Sequence, residues 1–343
     1  VDRRRHRAGD PPDEEEAGAV TGRTLATRIV PPPVPAGRAF TRARWLNPTE
    51  PRVLGLACTA TIITDRPKRG EHRAHIATWQ PARLICHQIK LNKGARDRSG
   101  EENVVSRILL NGLAQACGIK NLLSVPLTAG DKLRSEIADF RQLVEQLQRR
   151  EIAYFGIKDN GRMIDVESPP KLLLSGAFNP LHDGHLELAR VAGQMQGQKV
   201  AFELAVDNAD KPPLDTEVAL QRISQFAGRY TILASNAPTF IAKAHLYPQT
   251  TFIVGFDTAV RILQPRYYGN SIENLEEALN EIRDLGCRFL VAGRTGDDGK
   301  FRRARDLMVP SKYQTLFERI PSDLFRKDIS STELRRTGRK GSR

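Results

Sequence analysis

Cysteine is scarce in this 343-residue chain, and the four present, Cys58, Cys86, Cys117 and Cys287, are scattered along it. No pair or quartet stands at metal-ligand spacing, which excludes a disulfide-stapled scaffold and a cysteine-built zinc site. Long apolar runs are lacking too: no stretch is long enough to span a bilayer, and no signal-peptide h-region opens the sequence. The Arg3-Arg4-Arg5 run is followed by Asp13, Glu14, Glu15 and Glu16, too acidic for a typical transit peptide. These gaps predict a cytoplasmic protein with free thiols and no membrane partner.

An acidic excess is also absent, since the formal net charge is +13 and the isoelectric point about 9.8. That balance suits partners that carry phosphate, whether small polyphosphates or nucleic acid. The basic residues are dispersed, apart from a short tail at Arg335, Arg336, Arg339 and Lys340, and no aromatic-interleaved basic module is present. Nucleic acid is therefore not expected as a partner. Hydrophobic residues make up 40% of the chain, enough for buried cores, and the length suits two ordinary domains.

Composition divides the chain. Residues 1–50 are charged and Pro-rich, with Pro31, Pro32, Pro33 and Pro35, and read as disordered or extended. Over 51–150 a small α/β unit is expected. It has a buried strand with its exit at 53–64, two strands at 75–79 and 83–89, and a helix at 101–116 with Val104, Ile108, Leu109 and Leu113 on one face. A second amphipathic helix is predicted over 131–150 from Leu133, Ile137, Phe140, Leu143 and Leu147. A hairpin and linker follow at 151–170, turning on Asp159, Asn160 and Gly161. Residues 171–337 form the main domain and 338–343 a basic tail.

The main domain opens with Leu172-Leu173-Leu174-Ser175-Gly176-Ala177-Phe178-Asn179-Pro180-Leu181-His182-Asp183-Gly184-His185, an apolar strand that ends in a glycine turn before a helix. Unpaired amides at the start of such a helix attract phosphate. Residues three apart share a helix face, so His182 and His185 can converge on one phosphoryl group. Gly176 and Gly184, lacking a Cβ, admit a ligand close to the backbone. No third ligand accompanies the histidines at zinc-like spacing, so no metal ligands are assigned to the protein. Near the end, Asp328-Ile329-Ser330-Ser331-Thr332-Glu333-Leu334-Arg335 holds a capping-box pattern from Ser330 to Glu333, another helix start able to hold anionic oxygens. Arg335 adds a forked, charge-assisted contact. Between these motifs helices and strands alternate, with strands at 199–206, 230–234, 251–255 and 287–292. The alternation predicts a parallel, doubly wound sheet with its ligand at the carboxyl ends of the strands.

The first motif and the Ile329-Ser330-Ser331-Thr332 to Arg335 run together resemble the two signatures of the HxGH nucleotidyltransferase superfamily. The resemblance implies transfer of a nucleotidyl group from ATP to a phosphorylated small-molecule acceptor, with Mg²⁺ as cofactor. It makes His182 and His185 catalytic and puts Gly176, Ala177, Phe178, Gly184, Lys211, Asp257, Arg294, Ser330, Ser331 and Arg335 around the nucleotide. Within the superfamily, Asp210-Lys211-Pro212-Pro213-Leu214 with Arg222, Gly255-Phe256-Asp257 and Arg294-Thr295-Gly296 look most like nicotinamide or nicotinate mononucleotide adenylyltransferases, which implies a place in NAD biosynthesis. Pantetheine phosphate as acceptor, a CTP-dependent reaction with a phospho-alcohol, and a non-catalytic nucleotide sensor remain as alternatives. A class I aminoacyl-tRNA synthetase, suggested by Val309-Pro310-Ser311-Lys312, is disfavoured by the second motif.

Residues 52–117, from Gly55-Leu56-Ala57-Cys58-Thr59 through the Arg/Glu-rich helix, resemble the C-terminal half of the CinA C-terminal domain family, whose members include nicotinamide mononucleotide deamidases. Only Thr59 falls at one of that family's functional positions, and its catalytic serine turn has no counterpart in residues 1–50. An incomplete unit with a structural or regulatory role is expected. Self-association into a homo-oligomer is left open.

Overall fold

The computed structural model describes residues 33–47, 50, 52–66, 69–165, 167–207, 209, 212–296, 300–326 and 334. The first described element is a helix, α1 (Pro33–Leu46), which corrects the expectation of an extended segment through residue 50. Proline suits the first turn of a helix, where its missing N–H would be unpaired anyway. Ala36 and Phe40 then form a buried face. Gly37 lets α1 touch another backbone: a Cβ there would lie 2.5 Å from the Gly228 nitrogen.

Four strands follow as an antiparallel sheet in simple order: β1 (Gly55–Thr61), β2 (Arg73–Trp79), β3 (Arg83–Lys90) and β4 (Lys132–Asp139). Helix α2 (Arg98–Ala116), capped by Asp97 accepting from the Gly100 N–H, lays Val104, Val105 and Ile108 on Ala74, Ile76 and Ile89. The opposite face of the sheet offers Trp79 and Leu84 to Phe40 and to Phe140 of α3 (Phe140–Gln148). Two expectations fail here. The strand at 53–64 is not buried, because β1 is an edge strand whose outer half is exposed. The helix expected over 131–150 is a strand and then a helix, broken at Asp139, whose carboxylate accepts from the Gln142 N–H to cap α3.

The main sheet is built from β5 (Tyr154–Ile157), β6 (Leu172–Ser175), β7 (Ala201–Ala205), β8 (Ile232–Ser235), β9 (Thr251–Gly255), β10 (Arg288–Ala292) and β13 (Phe317–Arg319), the short ribbon β11 (Arg294–Thr295) and β12 (Phe301–Arg302) standing apart. Its order is β13-β10-β9-β6-β7-β8-β5, parallel throughout except for β5 against β8. The parallel doubly wound sheet expected from the sequence is thus present, with an antiparallel edge. The predicted turn at Asp159, Asn160 and Gly161 closes a hairpin through the Ile157–Met163 bridge, but its first arm is β5, a strand of the main sheet rather than part of a linker.

Helices α4 (Asp183–Gln196) and α5 (Thr216–Ile223) cover one face; α6 (Phe240–Leu246), α7 (Phe256–Ile262) and α8 (Ile272–Asp284) cover the other. Alternate residues of β6 divide accordingly, Leu172 and Leu174 toward α4 and Leu173 toward α7 and α8. The α4-side core continues into the N-terminal sheet, so Trp79, Leu84 and Phe140 share one apolar cluster with Phe155, Phe178 and Phe226.

Candidate active site

The chain leaves β6 in one direction through β7 and β8, then returns to lay β9 on the other side of β6. The carboxyl ends of β6 and β9 therefore flank a topological switch point, the place where open parallel sheets bind ligands. The glycine turn and both histidines follow β6, Asp257 follows β9 in the first turn of α7, and Arg294 follows β10. Residues from three separate parts of the sequence meet at one end of the sheet.

His182 is the N-cap of α4, with extended backbone, and is 6% exposed. Its backbone N–H donates to Nδ1 of His185 at 3.3 Å. That bond makes Nδ1 of His185 an acceptor, so its proton sits on Nε2. The two imidazoles stack with centroids 3.7 Å apart. Burial, then the neighbouring His182, pushes the His185 imidazole down to about 3. His182 is lowered too, by burial, against the pull of Asp183 and with a smaller contribution from Arg294. Both rings are neutral at neutral pH, offering N–H donors rather than fixed positive charge. Nδ1 of His182 and Oγ of Ser175 are buried and have no hydrogen-bond partner among the described residues. Such polar groups call for a polar partner.

The turn is held from beneath and from the side. Phe178 has φ +44 and is buried, its ring edge-on to His185 at 5.2 Å and to Phe202 and Phe226. Gly176 is required under that ring, since a Cβ would come within 2.8 Å of it. Nη1 of Arg222 donates to the Ala177 carbonyl at 3.2 Å. Gln225 donates to the Phe178 carbonyl at 2.8 Å and accepts from the Leu181 N–H at 2.9 Å. Gln225 was not legible as a site residue: it acts across 47 positions of sequence, and no local pattern marks it. Gly184 lies buried in the first turn of α4.

Asp257 and Arg294 form an ion pair with each other, both about half exposed. They are brought together at the ends of β9 and β10, rather than standing as independent contacts. Lys211, Ser330, Ser331 and Arg335 lie outside the described residues. The described chain runs toward the second motif through Phe325, which packs in the α4-side core, and Arg326, whose guanidinium sits over the Phe301 ring. Thr59 belongs to the other sheet, exposed on β1. Among the described residues no group of three or more His, Cys, Asp or Glu side chains converges to hold a metal ion, and no helix is long and apolar enough to cross a membrane.

The histidines carry a testable consequence for stability. The unfolded His185 imidazole takes up a proton near pH 6.5, whereas the folded one does so only near 3. Between these values the unfolded state binds more protons, so folding stability is complete above about 6.5 and falls as the pH drops toward 3. Urea unfolding across this window should show the decline, and His185→Gln should make it shallower. An unchanged slope in the variant would mean that His185 is not held neutral by the fold.

A comparison with curated proteins gives no match. Residues 173–337 match the family described as cytidylyltransferase-like. The match runs from β6 past the second motif and so contains every residue gathered at the carboxyl end of the main sheet. Residues 173–337 are accordingly a cytidylyltransferase-like domain of the HxGH nucleotidyltransferase superfamily.

Proposed function

We propose that this domain transfers an adenylyl group from ATP to a phosphorylated acceptor, with nicotinamide or nicotinate mononucleotide as the acceptor and pyrophosphate as the leaving group, a step of NAD biosynthesis. The observation that carries the reading is the stacked, neutral His182–His185 pair at the start of α4, beside the switch point between β6 and β9. An oxygen of the acceptor phosphate attacks the α-phosphorus in line, and the bond to the bridging oxygen of pyrophosphate breaks. The acceptor phosphate is already ionised at neutral pH, so no general base is needed.

The work of the protein is positioning and charge stabilisation. His185 Nε2–H and the imidazole of His182 donate to the α-phosphate, where negative charge accumulates in the transition state. Being neutral, both keep this role across the physiological pH range. The amides opening α4 add donors of fixed direction. Ser330, Ser331 and Arg335 are assigned to the β and γ phosphates and Lys211 to the triphosphate. The Asp257–Arg294 pair is assigned to the nucleoside, with the carboxylate reading ribose hydroxyls. Mg²⁺ neutralises triphosphate charge when bound, and its preference for phosphate oxygens and water matches a site with few protein carboxylates. The unit resembling CinA is assigned a structural or regulatory role.

The test is pyrophosphate release by the full chain with Mg²⁺-ATP or Mg²⁺-CTP and, separately, nicotinamide mononucleotide, nicotinate mononucleotide, phosphopantetheine and a phospho-alcohol. Release with ATP and a pyridine mononucleotide, accompanied by dinucleotide formation, is the expected result. Release only with another pair would keep the reaction and replace the acceptor. ATP binding with no release from any pair would favour a nucleotide sensor.

A further inference from the structure

The N-terminal sheet ends in an open edge. β4 is its terminal strand, paired with β3 on one side and with nothing among the described residues on the other. Between its charged residues Lys132, Arg134 and Glu136 it also shows large apolar side chains: Leu133 is 37% and Ile137 61% exposed. Both lie on the α2 face, Leu133 opposite Ile89 and Ile137 opposite Ile85. The segment between α2 and β4 returns alongside that helix, tied by Asn111 to Leu123, and adds exposed Leu123 and Leu127 to the same side. On the other face of β4, Oε2 of Glu136 is buried and has no hydrogen-bond partner among the described residues.

We infer that β4 is the two-fold interface of a homodimer, in which it pairs antiparallel with β4 of a second copy about Ser135. The sequence of the strand selects this partner and this register. A two-fold axis perpendicular to a continuous sheet reverses the strand and preserves its faces, so residues opposite one another must share a face. Centred on Ser135, Leu133 meets Ile137 of the other copy, and Arg134 meets Glu136 of the other copy, each pair formed twice. Sliding to the next permitted register in one direction sets Glu136 against Glu136, and in the other Arg134 against Arg134. Like charges directly opposite are destabilising, whereas apolar and opposite-charge pairs stabilise a ladder. Only the Ser135 register unites apolar with apolar and acid with base. The two four-stranded sheets then become one.

Sedimentation of the full chain at micromolar concentrations tests this directly. The wild-type chain is expected to be a dimer, Arg134→Glu and Glu136→Arg each a monomer, and the double charge swap a dimer again. Recovery in the double variant separates a lost interface from a lost fold. Cα atoms directly opposite in an antiparallel pair stand about 4.5–5.5 Å apart, within disulfide range. Ser135→Cys, with Cys58 and Cys117 changed to serine, should therefore cross-link across the axis under mild oxidation, and Leu133→Cys on that background should not. A monomeric wild type, a dimer untouched by both single charge changes, or a dimer without the Ser135→Cys cross-link overturns the inference. So does a chain that dimerises only after residues 1–32 are deleted, which would make that segment the occupant of the edge.

Discussion

His185→Ala is expected to lower kcat by about 10²- to 10³-fold, the usual cost of one donor to developing negative charge in a water-poor site. The ring is partly buried, and its Nδ1 is occupied by the His182 N–H, so alanine removes both the Nε2–H donor and the acceptor that fixes the N-cap. His185→Gln, whose amide N–H reaches the position of Nε2, should recover part of the loss. Because imidazole is neutral here at pH 7, the wild-type rate should show no ionisation of His185 near 6.5, which sets a donor apart from an acid or base. The measurement is steady-state pyrophosphate release with the best acceptor pair, alongside a circular dichroism check that the variant is folded. Turnover within a few-fold of wild type would remove His185 from the reaction.

The largest effect on stability is expected at Glu203 and Lys243. Glu203 on β7 is fully buried, with Nζ of Lys243 at 2.6 and 2.7 Å from its two oxygens and the Ser235 hydroxyl donating at 2.5 Å. Removing one partner leaves the other charge buried and uncompensated, a loss of about 3–5 kcal/mol. Glu203→Ala and Lys243→Met should each lower the unfolding free energy measured in urea by that much. An apolar pair, Glu203→Leu with Lys243→Met, should recover most of it, because desolvating two charges offsets much of their attraction. The carbonyl of Glu203 accepts from the Gly176 N–H, so β7 also supports the first residue of the glycine turn. Single variants that unfold like wild type would show the pair to be energetically idle.

The sheet was largely legible because its strands are dense apolar runs bounded by turns, as at Leu172–Ser175 and Thr251–Gly255. The glycine turn and the two histidines were legible because their spacing is local. α1 was not, since Pro33 and Pro35 read as extended chain when they stand at the start of a helix. β4 was misread because Leu133, Ile137, Phe140 and Leu147 stand at helical spacing across the break at Asp139, so the strand and the helix after it imitate one helical face. β13 is three residues long and is held by its parallel partner β10, a tertiary cause. Gln225 and the pairing of Asp257 with Arg294 are contacts between distant segments, which no single-sequence pattern records.

The shared aromatic core has a consequence for how this chain can be divided. Trp79 and Phe140 precede residue 173, where the family match begins, yet they pack in one cluster with Phe178 of the glycine turn. β5, the last strand of the main sheet, precedes it too, and Arg44 of α1 donates to the Ser224 hydroxyl at 2.7 Å. A fragment cut at residue 173 would lose an edge strand and expose the floor beneath its own glycine turn. The limit drawn by kinship cuts through a shared core, so heat or denaturant should melt both halves together.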